Sequence, residues 1–126
     1  MRPSPKEIQT KLMKGFLDFV ILQFLKGQPM HGYQIIRTFR RNFGVYFGPS
    51  TIYPLLSFLE EKGYIKSQWN LEKGRPRKVY SLTPQGAGTL NSTQVSLGQL
   101  YKKLMNVDKL PLNTARRHVH CVFDVE

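Results

Sequence analysis

GPSTIYPLLSFLEEKGYIKSQWNLEKGRPRKVYSLT, residues 48 to 83, carries a helix pattern, a stop and two strand patterns in immediate succession. Ile52, Leu55, Leu56 and Leu59 recur at the i, i+3, i+4, i+7 spacing of one apolar helical stripe, which leaves Ser50, Pro54, Ser57 and Glu61 pointing away from a core. Pro54 restricts where that helix begins, because proline is tolerated in a first turn, whose amides lack intrahelical partners, and breaks an interior. The start therefore falls close to Ser50, and Gly63 stops the helix. Two runs of β-formers follow, Ile65 to Trp69 and Val79 to Leu82, around a loop holding Lys73, Arg75, Arg77 and Lys78. A narrow hairpin tipped with cations suits a phosphate backbone.

Upstream, one helix is expected from Lys6 or Glu7 to about Lys26, ended by Gly27, Gln28 and Pro29. Its apolar residues cover nearly every direction, so it should be sandwiched within the fold. A second helix is expected over His31 to Asn42, with Ile35, Ile36, Phe39 and Phe43 inward and Gly44 as its C-terminal cap. Val45 to Pro49 then connects it to the helix that begins near Ser50. Helix, turn, helix and ribbon make the winged variant of the helix-turn-helix. The expected fold class is α+β, mainly helical: a winged helix-turn-helix with a two-stranded wing and a C-terminal dimerisation helix. Residues 1–83 would form the DNA-binding domain, 84–105 the dimerisation helix and 106–126 a tail of unknown role.

Thr83 and Pro84 form an N-cap and N1 pair for that last helix. Leu90, Leu97, Leu100 and Leu104, with Thr93, recur at a and d spacing, a narrow stripe that two copies of the chain can bury against each other. The alternative is that the helix folds back on its own domain. In the tail, Val119, Cys121, Phe123 and Val125 alternate like a strand with one apolar face.

A chain of 126 residues, 40% hydrophobic, can bury one core and is too short for two ordinary domains. Nineteen Lys and Arg against eight Asp and Glu give a formal charge of +11. The placement is uneven: no carboxylate occurs between Asp18 and Glu60, or between Glu72 and Asp108. Such a surface either merely solubilises or is the footprint of a nucleic-acid partner, and the hairpin favours the partner. The apolar run Phe16 to Leu25 is far shorter than the ~20 residues a bilayer needs, and no small-residue cleavage site follows it. Neither a membrane anchor nor a secretory signal is expected, and a lone Cys121 permits no intrachain disulfide, so the expected compartment is the cytoplasm.

No paired carboxylates, Ser/His/Asp set or glycine-rich phosphate loop is visible, so no enzyme and no cofactor are expected. His118, His120 and Cys121 are potential metal ligands, but strand alternation would put the two histidines on one face and the thiol on the other, and no metal is expected. His31, at a helix start, suits a cap or packing role. Trp69, beside the apolar face of a strand, is expected to pack rather than serve as a ligand platform.

GFLDFVILQFL at residues 15 to 25, HGYQI at 31 to 35, STIYPLLSFLEEKGYI at 50 to 65 and GRPRKVYSLTPQG at 74 to 86 resemble, in order and spacing, the PadR family of transcriptional regulators. The similarity covers roughly Gly15 to Leu104. It implies a winged helix-turn-helix whose C-terminal helix pairs two subunits on a near-palindromic operator, usually as a repressor. Some members release DNA when a small aromatic or drug-like molecule binds near the dimer interface. The helix after the wing lacks the tryptophan that serves ligand capture in such members, so a small-molecule effector stays open. The tail after Leu104 also lacks the long additional helices of larger members.

In this geometry the second helix of the motif enters the major groove by its N-terminal end, which here carries Ser50, Thr51, Tyr53 and Pro54, with Ser57 one turn on. Its hydroxyls and free first-turn amides suit phosphates or bases. Tyr53 is at once a phosphate donor and a residue that can pack its ring on the domain. The helix start has no Arg, Asn or Gln for bidentate base contacts, so shape, spacing and wing contacts are expected to contribute much of the specificity. Arg75 and Arg77, stiffened by Pro76, would enter a minor groove or pair with its phosphates, Lys73 and Lys78 would hold phosphates, and Arg37 is a further contact. Arg40, Arg41, Lys62 and Lys66 rank behind them. The expected partners are double-stranded DNA and a second copy of the chain. The competing reading is a winged-helix module that binds nucleic acid without sequence preference or serves in a protein assembly.

Overall fold

The structure, a computed structural model, describes residues 2 to 109, so the strand pattern from Val119 to Val125 and the His118, His120, Cys121 group lie outside the described residues. The chain runs α1 (Pro5–Gly15), α2 (Leu17–Gly27), β1 (Met30–His31), α3 (Gly32–Phe43), α4 (Pro49–Glu61), β2 (Ile65–Asn70), β3 (Arg77–Leu82) and α5 (Pro84–Met105). Single 3-10 turns occupy Glu72–Gly74 and Val107–Lys109. The strands form one antiparallel sheet in the order β1-β3-β2.

The single N-terminal helix expected from the sequence is two helices. Ser4 and Glu7 form a capping box and Pro5 stands in the first turn, so α1 begins at Pro5. It breaks at Phe16, where φ and ψ are −117° and 12° and the amide bonds the Met13 carbonyl at 2.9 Å, one residue short of the helical ladder. Gly15, a poor helix former, stands at the joint. The break separates helices with different surroundings: α1 buries only Met13, whereas α2 buries Leu17, Ile21, Leu22 and Leu25.

The helix-turn-helix itself follows its pattern closely. His31 caps α3, and Gly44 and Gly63 take φ of 66° and 82°, the left-handed turn conformation that glycine adopts without strain, just past α3 and α4. Gly48 is the N-cap of α4 and Pro49 its first residue, so Pro54 lies in the second turn rather than the first. It deprives the Ser50 carbonyl of its usual donor, on a ridge where Ser50, Pro54, Ser57 and Glu61 are all exposed. The opposite face of α4 places Ile52, Leu56 and Leu59 in the core.

Phe39 sits at the centre of that core, with the Phe24 ring centroid 4.9 Å away and that of Phe47 at 5.5 Å, both edge-on. Ile21, Ile35, Ile65 and Leu90 complete its fully buried set. Leu90 is therefore a core residue, and the expectation that it belongs to a dimer seam is corrected. β1, a two-residue strand too short to show any alternation in sequence, pairs Met30 with Tyr80 and His31 with Val79. The two-stranded wing is thus the outer part of a three-stranded sheet.

The first turn of α5 is held by Thr83, whose hydroxyl donates to the Gly63 carbonyl at 2.6 Å and accepts from the Gly86 amide at 3.0 Å. This brings Gly86 so close to Tyr64 that a Cβ there would overlap the Tyr64 backbone carbonyl. Gly86→Ala is expected to cost about 1–3 kcal/mol through overpacking against an atom that cannot rotate aside. Gly88→Ala, where a Cβ meets nothing within 4 Å, should instead stabilise the helix by up to about 1 kcal/mol. Paired thermal melts read both signs.

The chain divides within α5 into a unit ending at Thr93 and a second beginning at Gln94. In the second unit Val95, Leu100, Tyr101, Leu104, Met105 and Val107 are exposed, and Leu97 is partly so. Among the described residues no helix is long and apolar enough to cross a membrane.

Candidate nucleic-acid interface

A groove of about 800 Å³ opens between the start of α3, one side of α4 and the β2–β3 wing. Arg37 and Tyr33 line it from α3, Tyr53 and Ser57 from α4, and Trp69, Arg75, Arg77 and Lys78 from the wing. No carboxylate is among its lining residues. Six of the residues singled out in the sequence (Arg37, Tyr53, Ser57, Arg75, Arg77 and Lys78) are therefore brought together. The remaining members of that set are placed elsewhere. Ser50 is exposed in the first turn of α4, while Thr51 and Pro54 line a separate hollow beside Lys14, Leu17 and Phe58. Lys73 is in the 3-10 turn at the wing tip. Arg40, Arg41, Lys62 and Lys66 are exposed but do not line the groove.

The wing is longer than its hydrophobic pattern implies. β3 begins at Arg77, so Arg77 and Lys78 are strand residues paired with Asn70 and Trp69, and only residues 71–76 form the tip. Beyond Ser67 the ribbon leaves the core behind, and alternation no longer sorts side chains into wet and dry. Trp69 is accordingly 62% exposed, with the Lys78 ammonium 5.9 Å from its ring centroid, so the packing expected for it is made within the wing and not in the core. The groove wall is tied to α4 by Glu60, whose carboxylate accepts from the Ser67 amide at 3.1 Å and from its hydroxyl at 2.6 Å.

Tyr53 packs on the domain and also lines the groove. Its ring lies against Gly32, where any Cβ would overlap it, and meets the Tyr33 ring edge-on at 6.2 Å. α3 and α4 can approach here because residue 32 has no side chain. Burial, and then the neighbouring Tyr33, push the Tyr53 phenol above its ordinary range, so it remains a hydrogen-bond donor at neutral pH.

His31, which the sequence marks only as a cap or packing residue, has a second role. It is a cap: its Nδ1 accepts from the Gln34 amide at 3.2 Å, and the Gln34 side chain accepts from the His31 amide at 3.4 Å. It also lines the groove, with Nε2 3.2 Å from Nη1 of Arg77. Burial, then Arg77 and then Arg37 depress its pKa below the ordinary 6.5, so the ring is neutral at physiological pH. His31 and Gln34 show the capping-box spacing in sequence, but the meeting with Arg77, 46 residues away, depends on β1 pairing with β3. Among the described residues no group of three His, Cys, Asp or Glu is placed to hold a metal ion.

A two-stranded wing, part of a three-stranded sheet, on a helix-turn-helix, with a cationic groove between them, defines a winged-helix nucleic-acid-binding protein. The model of the PadR-like family of transcriptional regulators matches residues 21–92, and the chain belongs to that family. It is 31% identical over 85 residues to the transcriptional regulator Rv3488 of Mycobacterium tuberculosis, covering 68% of this chain and 78% of that one. A PadR family transcriptional regulator from Eggerthella lenta superposes with a TM-score of 0.73 at 25% identity, over 82% of this chain and 91% of the other. A PadR family regulator from Clostridium difficile R20291 does so with a TM-score of 0.64 at 30% identity, over 72% and 95%. The chain is thus a DNA-binding transcriptional regulator of this family.

Proposed function

We propose that the protein is a homodimeric repressor, without catalytic activity, that acts in the cytoplasm on a near-palindromic operator. The observation that carries this reading is the groove in which Arg37, Arg75, Arg77 and Lys78 meet the Tyr53 and Ser57 side of α4 with no acid among them. In such a complex the first turns of α4, with Ser50, Thr51 and Pro54, enter the major groove, and the wing follows the adjacent sugar-phosphate strand. Lys73, at the tip, adds a phosphate contact. The exposed ridge of α4 offers no Arg, Asn or Gln, so the spacing of two half-sites and the shape of the duplex carry much of the discrimination.

The dimer half of the reading is supported by Leu97, Leu100 and Leu104, which share one helical stripe. Leu100 and Leu104 are 50% and 58% exposed in the single chain, and Tyr101 beside them is 61% exposed. A second copy supplies the matching apolar surface. Competition binding distinguishes this reading from a module that coats nucleic acid indiscriminately. A regulator should prefer the DNA upstream of its own gene over random duplex by about 10³-fold or more, and a preference near unity would leave the coating role in its place.

A further inference from the structure

We propose that His31 is a DNA-contacting residue, and that its Nε2–H and the Arg77 guanidinium jointly hold one phosphate of the DNA backbone on the wall of the groove. This rests on the nucleic-acid reading above and adds to it a residue and a chemistry.

The tautomer of His31 decides what the pair can hold. The Gln34 amide is a fixed donor in the first turn of α3 and meets Nδ1 at 3.2 Å, so Nδ1 must be bare. A neutral ring then carries its proton on Nε2. That nitrogen lies 3.2 Å from Nη1 of Arg77, and a guanidinium has donors and no acceptor. Two donors therefore face each other, and neither can satisfy the other. The opposite tautomer would serve Arg77 and set a ring N–H against the Gln34 amide, so moving the proton only moves the conflict. An oxygen acceptor placed against both groups removes it, and an anionic oxygen does so most strongly because hydrogen bonds to charged groups are the stronger kind.

The surroundings indicate on which side that oxygen sits. His31 and Arg77 border two hollows, one of about 380 Å³ that Glu72 also lines and one of about 800 Å³ that no carboxylate lines. Arg75 and Arg77 line both, but in the first Glu72 offsets part of their charge, whereas in the second Arg37 and Lys78 add to it, so an anion is drawn more strongly into the second. The second is the groove already assigned to DNA. β1 fixes the seat, since pairing His31 with Val79 holds the imidazole beside a strand residue two positions from Arg77.

The test uses substitutions that separate the cap from the contact. In His31→Asn, and independently in His31→Ser, the side-chain oxygen can still cap α3, but the Nε2–H is gone. Binding of the full-length protein to a fluorescein-labelled mixed-sequence duplex of about 30 base pairs is measured at about 50 mM salt, where phosphate contacts dominate. Both variants should melt close to wild type and bind about 10- to 100-fold more weakly, as expected when a hydrogen bond to a charged group is removed. Arg77→Ala should weaken binding and reduce the log–log salt slope by about 1.8, the signature of one phosphate contact removed from each of two subunits, whereas the His31 variants leave the slope unchanged because the deleted group is neutral. In the Arg77→Ala background the His31→Asn effect should shrink, because the two groups serve one phosphate. Wild-type affinity in both His31 variants, or an equal loss in both backgrounds, overturns the shared phosphate. A wild-type protein that ignores the duplex overturns the nucleic-acid reading itself, and the clamp with it.

Discussion

Replacing Arg75 and Arg77 together by alanine is expected to lower affinity for duplex DNA by about 10- to 100-fold near physiological salt, and to make the log–log salt dependence shallower by about 3 to 4, since the dimer loses two contacts from each subunit. Both side chains are exposed on the wing and line the groove, so the loss should leave the fold intact. The slope is the more diagnostic quantity. A phosphate contact releases counterions, and its removal reduces the slope whatever the DNA sequence, whereas damage to folding lowers the active fraction without changing it. The wild-type slope itself should be near −5 if about six phosphates are neutralised per dimer. Arg40→Ala with Arg41→Ala makes the control: the same charge is removed, but neither residue lines the groove, and the slope should change by less than half as much. Fluorescence anisotropy across a salt series measures all three proteins.

The second large effect concerns pairing. Leu100→Glu with Leu104→Glu places two carboxylates on the exposed stripe of α5, where a second copy would have to bury them. Sedimentation equilibrium should then show a monomer, and affinity for a two-half-site operator should fall by about 10²- to 10⁴-fold as the second half-site contact ceases to be intramolecular. Binding to a single half-site at low salt should survive, because every core residue from Met13 to Leu90 lies outside the altered stripe. A variant that stays dimeric would remove Leu100 and Leu104 from the interface.

The fold was legible wherever one residue pattern settled one physical question. The stripe through Ile52, Leu56 and Leu59 located α4, Gly44 and Gly63 located the ends of α3 and α4, and Ile65 anchored the wing, because the apolar positions face the core and the glycines allow the turns. What was not legible depended on partners distant in sequence. The break at Phe16 separates α1 and α2, which bury different surfaces, and the lone Gly15 at the joint does not by itself announce it, since a single glycine is tolerated inside a helix. β1 has two residues and no period of its own; it exists because β3 passes beside it. Leu90 shares its spacing with Leu97, Leu100 and Leu104, yet it is fully buried while Leu100 and Leu104 are exposed, a distinction that a spacing rule cannot draw.

The groove divides along the same line. Its cations are legible because uncompensated charge at a hairpin can be read from sequence. Whether Trp69 packs in the core or on the wing is not decided by β-alternation, which presumes a core on one side, and the outer ribbon has none. His31 is recognisable in sequence as a cap but not as a groove residue, since its second nitrogen meets a side chain 46 residues later. Local rules reach the elements and the charge; tertiary approach assembles the site.

Whether two copies of this chain read a duplex through α4 and the wing is tested most directly by selecting bound sequences from a random double-stranded pool. The expected result is enrichment of an inverted repeat whose half-sites lie about one helical turn apart, or a multiple of that, with the flanking positions no longer enriched when the Arg75→Ala, Arg77→Ala protein is used. A pool that emerges without any repeated motif, or with a single unpaired half-site, would contradict it.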